Sequence, residues 1–175
     1  MRRLLAGVAL ALLAGCAPML TKSPAPTGRL LESVVSYPSG KDTVQGFVYR
    51  PAEPGAFPAV VLVHGDFGLT HAVEDQAVRL ARRGYVVLAV DLYRGKAPAD
   101  LMEAHILSRL PDDQALADVR AAVDYLTGRD DVRGDRVGIL GWDMGGGYAL
   151  DAALQDGRLR AVVTCYGRLT TDPEL

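Results

Sequence analysis

The chain has 175 residues, of which 49% are hydrophobic and 23% are charged, and its formal net charge at pH 7 is −2. This is the composition of a single globular domain with enough apolar residues to bury a core. It does not fit a nucleic-acid-binding protein, because no basic run extends beyond Arg82-Arg83.

The N-terminal segment has the pattern of a secretory leader. The basic residues Arg2 and Arg3 precede an apolar run, Leu4–Ala14, which is too short to cross a bilayer core of about 30 Å as a helix. The run ends in Leu-Ala-Gly-Cys, which resembles the bacterial lipobox and implies that Cys16 is lipidated and begins the mature protein. A plain signal peptide with a chance cysteine, or a transmembrane anchor, are the alternatives.

The leader predicts a location and a domain division. Residue 17 is Ala rather than Asp, which by analogy favours the outer over the inner membrane of a bacterial cell envelope, with the domain in the periplasm. We expect a signal peptide at residues 1–15 and a lipidated cysteine with a proline-rich flexible tether at residues 16–29. Residues 30–175 then form the folded domain.

The rest of the chain predicts a mainly parallel sheet covered by helices on both faces. Two short strands, Leu31–Tyr37 and Val44–Arg50, flank a Pro-Ser-Gly-Lys-Asp turn and form a hairpin. Apolar strands then alternate with amphipathic helices, which is typical of an α/β fold. The strands are Ala59–Val63, Tyr85–Val90, Val137–Leu140 and Leu159–Thr164; the helical segments are Val73–Arg83, Pro98–Leu110, Asp112–Leu126 and Gly145–Gln155.

Three loops should meet at one edge of this sheet. They are His64–Thr70, Asp91–Ala97 and Trp142–Gly146, and each follows the carboxyl end of a predicted strand. Ligands of open α/β sheets bind beyond these strand ends, so we expect the functional site there. We also expect Asp91 to organise its own loop.

The third loop has the pattern of a nucleophile elbow, the sharp strand-to-helix turn that displays a reactive side chain. The segment VGILGWDMGGGYAL contains glycines at 141, 145 and 146, which provide the room such a turn needs. Its apex is Asp143. The backbone N–H groups of Met144 and Asp66 are the candidate oxyanion donors.

Four segments together resemble the dienelactone hydrolase family of α/β-hydrolases. They are AVVLVHGDFGLT, RLARRGYVVLAVDLYRG, DVRAAVDYL and VGILGWDMGGGYAL, and the resemblance spans Pro58–Gly167. It implies an α/β-hydrolase fold that acts on carboxylic esters or lactones without a cofactor. It also implies a Cys or Ser nucleophile at the elbow, followed along the chain by an acidic residue and a His.

The sequence departs from that family pattern in three ways. Asp143 stands where the family has its nucleophile, and Gly65 stands where many members have Glu. No His follows Asp143, since His64, His71 and His105 all precede it, and the acidic residues Asp172 and Glu174 lie at the very end. The resemblance implies two further strand-helix units, so we expect a C-terminally truncated version of the fold in which the final units are missing.

Two roles are open for Asp143, one structural and one catalytic. As a helix N-cap, its carboxylate would accept backbone N–H bonds and be kept ionised by the helix dipole. As a nucleophile, it would resemble the carboxylates of haloalkane dehalogenases and epoxide hydrolases, which attack an sp³ carbon and form an alkyl-enzyme ester. That second role requires a base from elsewhere.

Four other residues have both a structural and a functional interpretation. His64 either supports its loop, contacts substrate or serves as a surrogate base. Arg94 either binds a substrate carboxylate or is structural, and Trp142 either lines the pocket or packs against the sheet. Cys165 is either a buried apolar residue, which we expect, or a reactive thiol. The three histidines lack the spacing of a metal site.

We therefore expect a membrane-tethered hydrolase of esters or lactones that uses the residue at the elbow. The alternatives are a non-catalytic lipoprotein that retains the scaffold, and an Asp-nucleophile hydrolase of the dehalogenase or epoxide hydrolase type. The expected partners are a small ester or lactone substrate and, through Cys16, a membrane. Neither a metal, a cofactor nor nucleic acid is expected.

Overall fold

The computed structural model of the protein describes residues 28–169. The predicted signal peptide, Cys16 and nearly all of the tether lie outside the described residues, as do Asp172 and Glu174.

The described residues form one mixed sheet with helices on both faces, as the sequence predicts. The strands are β1 Leu30–Ser39, β2 Asp42–Pro51, β3 Phe57–Val63, β4 Val86–Asp91, β5 Val132–Trp142 and β6 Leu159–Cys165. The helices are α1 His71–Ala81, α2 Leu101–Leu107, α3 Asp112–Thr127 and α4 Asp143–Gln155. The strand order is β1-β2-β4-β3-β5-β6.

The sheet is antiparallel at one side and parallel at the other. β1 pairs with β2, and β2 with β4, in antiparallel register, so the predicted hairpin is confirmed. β3 pairs in parallel with β4 and β5, and β5 pairs in parallel with β6. The carboxyl ends of β3 to β6 therefore lie at the same edge of the sheet, where the three predicted loops meet.

Two apolar layers hold the helices against the sheet. Helix α1 packs on one face through Val73, Ala77 and Ala81. Helices α3 and α4 pack on the other face, where Val119, Leu126 and other residues of the predicted α3 stripe are buried. None of the helices within residues 28–169 is long and apolar enough to span a bilayer.

Strand β6 differs from the other parallel strands because it forms the edge of the sheet in the described residues. Val162 and Val163 are 39% and 51% exposed. Cys165 at its carboxyl end is half-buried, so the expectation of a buried residue is wrong. An edge strand has a neighbour on one side only, which leaves more of its side chains uncovered.

Candidate functional site

The junction of β5 and α4 has the geometry of a nucleophile elbow. β5 ends at Trp142, which is extended, and α4 begins at Asp143 without an intervening loop. Asp143 has a left-handed backbone with φ 48°, a conformation that non-glycine residues adopt rarely and that is concentrated at functional sites.

The glycines of this turn are required by its packing. A Cβ atom at Gly141 would lie 2.1 Å from the carbonyl oxygen of Gly145, and one at Gly145 would lie 2.2 Å from the carbonyl oxygen of His64. Both distances are far inside van der Waals contact, and both neighbours are backbone atoms that cannot move aside. The close approach of β3, β5 and α4 thus fixes the position of Asp143.

Three strained residues lie at the same edge of the sheet. Among the described residues, the non-glycine residues with positive φ are Arg94, Asp143 and Tyr166, at 56°, 48° and 59°. They follow β4, β5 and β6 respectively. Since such conformations cost about 1–3 kcal/mol each, their coincidence at the carboxyl ends of the parallel strands marks this edge as the candidate site.

The carboxyl group of Asp143 lies against the backbone of Gly65. A Cβ atom at Gly65 would be 2.6 Å from Oδ2 of Asp143, so the carboxylate occupies space that any side chain at position 65 would need. The N-cap position of α4 belongs to Trp142 rather than Asp143. The N-cap interpretation of Asp143 is therefore wrong, because its left-handed backbone directs the side chain towards β3.

The surroundings of Asp143 shift the pKa of its carboxyl group. Burial raises the pKa of the Asp143 carboxyl above its usual range, and the neighbouring Asp66 carboxylate raises this pKa further. Both causes disfavour the ionised form, so they act against the helix dipole that was expected to keep the group charged.

One of the two predicted oxyanion donors, the backbone N–H of Met144, is already engaged. The N–H of Met144 donates to Oδ1 of Asp66 over 3.4 Å. An oxyanion could use the Met144 N–H only if the Asp66 carboxylate moved away. The sequence predicts the positions of these backbone groups and does not predict that the side chain of Asp66 turns towards Met144.

Tyr93 is a site residue that sequence reasoning missed. Its hydroxyl donates to the carbonyl oxygen of Asp66 at 2.9 Å and lies 3.4 Å from Sδ of Met144. Burial raises the pKa of Tyr93, so the phenol remains a proton donor. It joins the loop after β4 to the loop after β3 and to the elbow. The only sequence signal was an aromatic residue with a polar group directly after a buried strand.

His64 is a structural residue of this edge and does not face the cleft. It is fully buried. Its Nδ1 lies 2.8 Å from the carbonyl oxygen of Gly65, and its Nε2 accepts the N–H of Leu92 at 3.2 Å. Burial lowers the pKa of His64, so the ring is neutral with its proton on Nδ1. With both nitrogens engaged, the ring has no atom free for substrate, which corrects its candidate role as a substrate contact or surrogate base.

Arg94 also turns away from the cleft. Its Nη2 lies 2.9 Å from Oδ2 of Asp118, whose side chain is only 3% exposed on the inner side of α3. The candidate role of Arg94 as a substrate contact is not supported, because a buried carboxylate of the protein already holds it. Asp91 organises its loop as expected, accepting the N–H groups of Tyr93 and Gly95.

A cleft of about 450 Å³ opens beside Asp143. Trp142 lines it and also packs against the core on the α1 face, so both of its predicted roles are present. The lining is Gly65, Asp66, Phe67, Gly68, Thr70, Ala72, Val73, Gln76, Trp142, Asp143 and Tyr166.

Residues 44–175 match the profile of the dienelactone hydrolase family. The chain belongs to the dienelactone hydrolase family. It is 38% identical over 127 residues to a Bradyrhizobium sp. protein named "Probable 2-oxo-3-(5-oxofuran-2-ylidene)propanoate lactonase", a match that covers 70% of this chain and 51% of that protein.

Solved structures of this family share the fold. The dienelactone hydrolase of Anabaena variabilis superimposes with a TM-score of 0.63 and 27% identity, covering 79% of this chain and 64% of that one. A dienelactone hydrolase-like promiscuous phosphotriesterase from metagenomic libraries gives a TM-score of 0.74 and 26% identity, covering 82% and 62%. The chain spans about half the length of the curated relatives it matches.

Within residues 28–169, no histidine is hydrogen-bonded to Asp143. His64 is engaged as described above. His71 is exposed at the start of α1 and lies near Glu74, and His105 is exposed on α2 beside Arg109. The described residues therefore supply an elbow and a cleft without a histidine hydrogen-bonded to Asp143.

Proposed function

We propose that the protein hydrolyses carboxylic esters or lactones at the cleft beside the elbow, with residue 143 as the nucleophile. One observation carries this proposal: a carboxylate in a left-handed conformation at a strand-helix junction, opening onto a cleft of about 450 Å³. Membership of the dienelactone hydrolase family supports the ester or lactone as the substrate class.

The chemistry available to a carboxylate is attack at an sp³ carbon. An oxygen of Asp143 bonds to the alkyl carbon of the ester or lactone while the bond from that carbon to the ester oxygen breaks, and the substrate carboxylate leaves. Water then attacks the carbonyl carbon of the resulting enzyme ester, releasing the alcohol and restoring Asp143. The raised pKa of Asp143 makes the attack depend on pH, because only the ionised group is nucleophilic.

The proposal is tested on the full chain in detergent. Opening of γ-butyrolactone is followed in a pH-stat, and the native protein is compared with Asp143→Ala. We expect the variant to lose at least about 100-fold in kcat/KM, as is typical for a group acting in the chemical step. In ¹⁸O-labelled water, a single turnover should place the label in the peptide that contains Asp143. Equal rates for the native protein and Asp143→Ala would refute the proposal.

A non-catalytic scaffold is the second candidate, and two observations favour it. The Met144 N–H is occupied by Asp66, and His64, whose backbone carbonyl lies against Gly145 of the elbow, is locked by two hydrogen bonds. On this alternative the cleft binds a ligand without turnover, and neither the native protein nor an Asp143→Cys variant opens the lactone.

We further propose that the protein is a lipoprotein of the bacterial cell envelope, anchored through Cys16. The support is the order of a basic segment, an apolar run, small residues and a cysteine at residues 2–16. An acyl anchor would hold the domain at a membrane surface with its elbow in the periplasm.

A further inference from the structure

The walls of the cleft beside Asp143 are aromatic. Phe67, Trp142 and Tyr166 all line it, and they come from the loop after β3, the end of β5 and the residue after β6. Phe67 is 48% exposed and Tyr166 is 94% exposed. Exposed aromatic rings that converge on one concave surface are typical of a binding site.

Tyr166 is held in the cleft wall against its conformational preference. Its φ of 59° is unfavourable for a bulky side chain, and almost its whole surface is open to solvent. Burial of its own ring therefore does not explain the strain. A ring that a strained backbone presents to solvent at the mouth of a cleft is suited to contact a ligand.

The charge of the cleft has one sign. Asp66 and Asp143 are its ionisable lining residues, and no Lys, Arg or His lies among the described residues that line it. The nearby cation Arg94 is withdrawn into its ion pair with Asp118. An anionic ligand would meet two carboxylates and no positively charged lining side chain, whereas a cation would be attracted by the carboxylates and by any ring whose face it contacts.

We propose that this cleft selects ligands with a quaternary ammonium group or with an aromatic group that is positively charged or neutral. It discriminates against ligands that carry a carboxylate. The inference rests on the proposed function in assigning the substrate class of the same site. It sets this chain apart from the Bradyrhizobium relative, whose name specifies a propanoate. The selectivity follows from complementary charge at Asp66 and Asp143 and from stacking on the aromatic lining residues.

The chain offers an internal reporter for a test that needs no turnover. Trp142 is the only tryptophan and lines the cleft, so its fluorescence reports binding directly. The full chain in detergent is titrated with phenyltrimethylammonium, benzyl alcohol and benzoate at low ionic strength, and calorimetric titration with the same three probes provides a second readout. We expect the cation to bind at least tenfold more tightly than benzoate, with a preference that decreases as salt is added.

Matched variants separate the two parts of the site. Asp66→Asn with Asp143→Asn should remove most of the preference for the cation while retaining benzyl alcohol, and Tyr166→Ala should weaken all three probes. Asp135→Asn is the control, because Asp135 is exposed near the opposite end of β5 and should leave every affinity unchanged.

The outcomes distinguish this inference from the proposed function. Benzoate binding as tightly as the cation, or no binding of any probe by either readout, would overturn the inference. Selective cation binding by a protein that opens no lactone would support the inference and count against the proposed hydrolase. Lactone opening that depends on Asp143, without any preference for the cation, would support the proposed hydrolase and overturn the inference.

Discussion

At the scale of single residues, the environment of a side chain decides its chemistry at this edge of the sheet. Asp143 and Asp66 are both carboxylates next to the N-terminus of α4. Asp66 accepts the N–H of Met144, whereas Asp143 lies against Gly65, and burial and Asp66 raise its pKa. Two chemically identical carboxyl groups thus have different contacts, because the fold places them next to different neighbours.

His64 leads to a prediction about pH and stability. Burial lowers the pKa of His64 in the folded protein below its ordinary value of 6.5, so the unfolded chain binds a proton that the folded chain does not. The free energy of unfolding should therefore fall as pH decreases below about 6.5, by up to about 1.4 kcal/mol per pH unit. Denaturant unfolding at several pH values between about 5.5 and 7.5 measures this slope.

Two histidine variants identify the group responsible for the slope. His64→Gln should be less stable near pH 7.5, because it disturbs the hydrogen bonds to Gly65 and Leu92, and should lose most of the slope. His71→Gln should keep the native slope, since His71 is exposed. A slope that persists in His64→Gln would show that another group causes it.

At the scale of elements, the crossing of β3, β5 and α4 is the part of the fold that positions the site. Gly145 lies where α4 approaches the end of β3, and a Cβ atom there would be 2.2 Å from the His64 carbonyl oxygen and 2.7 Å from that of Val63. A side chain there would have to push α4 away from β3, and the elbow would move with the helix.

Replacement of Gly145 by Ala should therefore destabilise the protein by about 1–3 kcal/mol or more, the usual effect of overpacking a rigid contact. Its matched control is Gly157→Ala, because no atom lies within 4 Å of a Cβ placed there; this change should alter stability by less than about 1 kcal/mol. Urea unfolding of both variants makes the comparison. Equal stabilities would mean that α4 shifts freely and that the elbow is not held rigidly.

At the scale of the whole molecule, the sheet divides into an antiparallel side and a parallel side, and the candidate site lies entirely at the parallel side. The described residues share their fold with dienelactone hydrolase structures. The proposed lipid anchor concerns the position of this domain in the cell rather than the chemistry of the cleft.

The anchor predicts where the full chain is found when it is expressed in a bacterium. The native protein should be recovered with the membrane fraction, because each buried CH₂ of an acyl chain contributes about 0.8 kcal/mol to membrane binding. Cys16→Ser should be unacylated by mass spectrometry and should leave that fraction. Cys165→Ser is the control and should behave as the native chain does. Equal membrane recovery of Cys16→Ser and the native chain, without acylation of either, would contradict the proposal.

The amino-acid sequence determined the order of strands and helices, the parallel arrangement of the sheet, the edge where the candidate site lies and the strand-helix turn at Asp143. These features depend on local patterns, namely β-branched runs, helical periodicity and the glycines at 141 and 145, because each pattern restricts the backbone of its own segment. For that reason these patterns can be recognised in a single amino-acid sequence.

Only the tertiary structure decided which way the polar side chains of the site point. Arg94 turns to Asp118 on α3, Asp66 turns to the Met144 N–H, and Tyr93 joins three segments that are distant in sequence. A side chain's partner and pKa are set by whatever the fold brings within a few ångströms of it, and residues far apart in the chain carry no local signal of that approach. The edge of the sheet that carries the candidate site was therefore predictable, while the hydrogen-bond partners of its polar side chains were not.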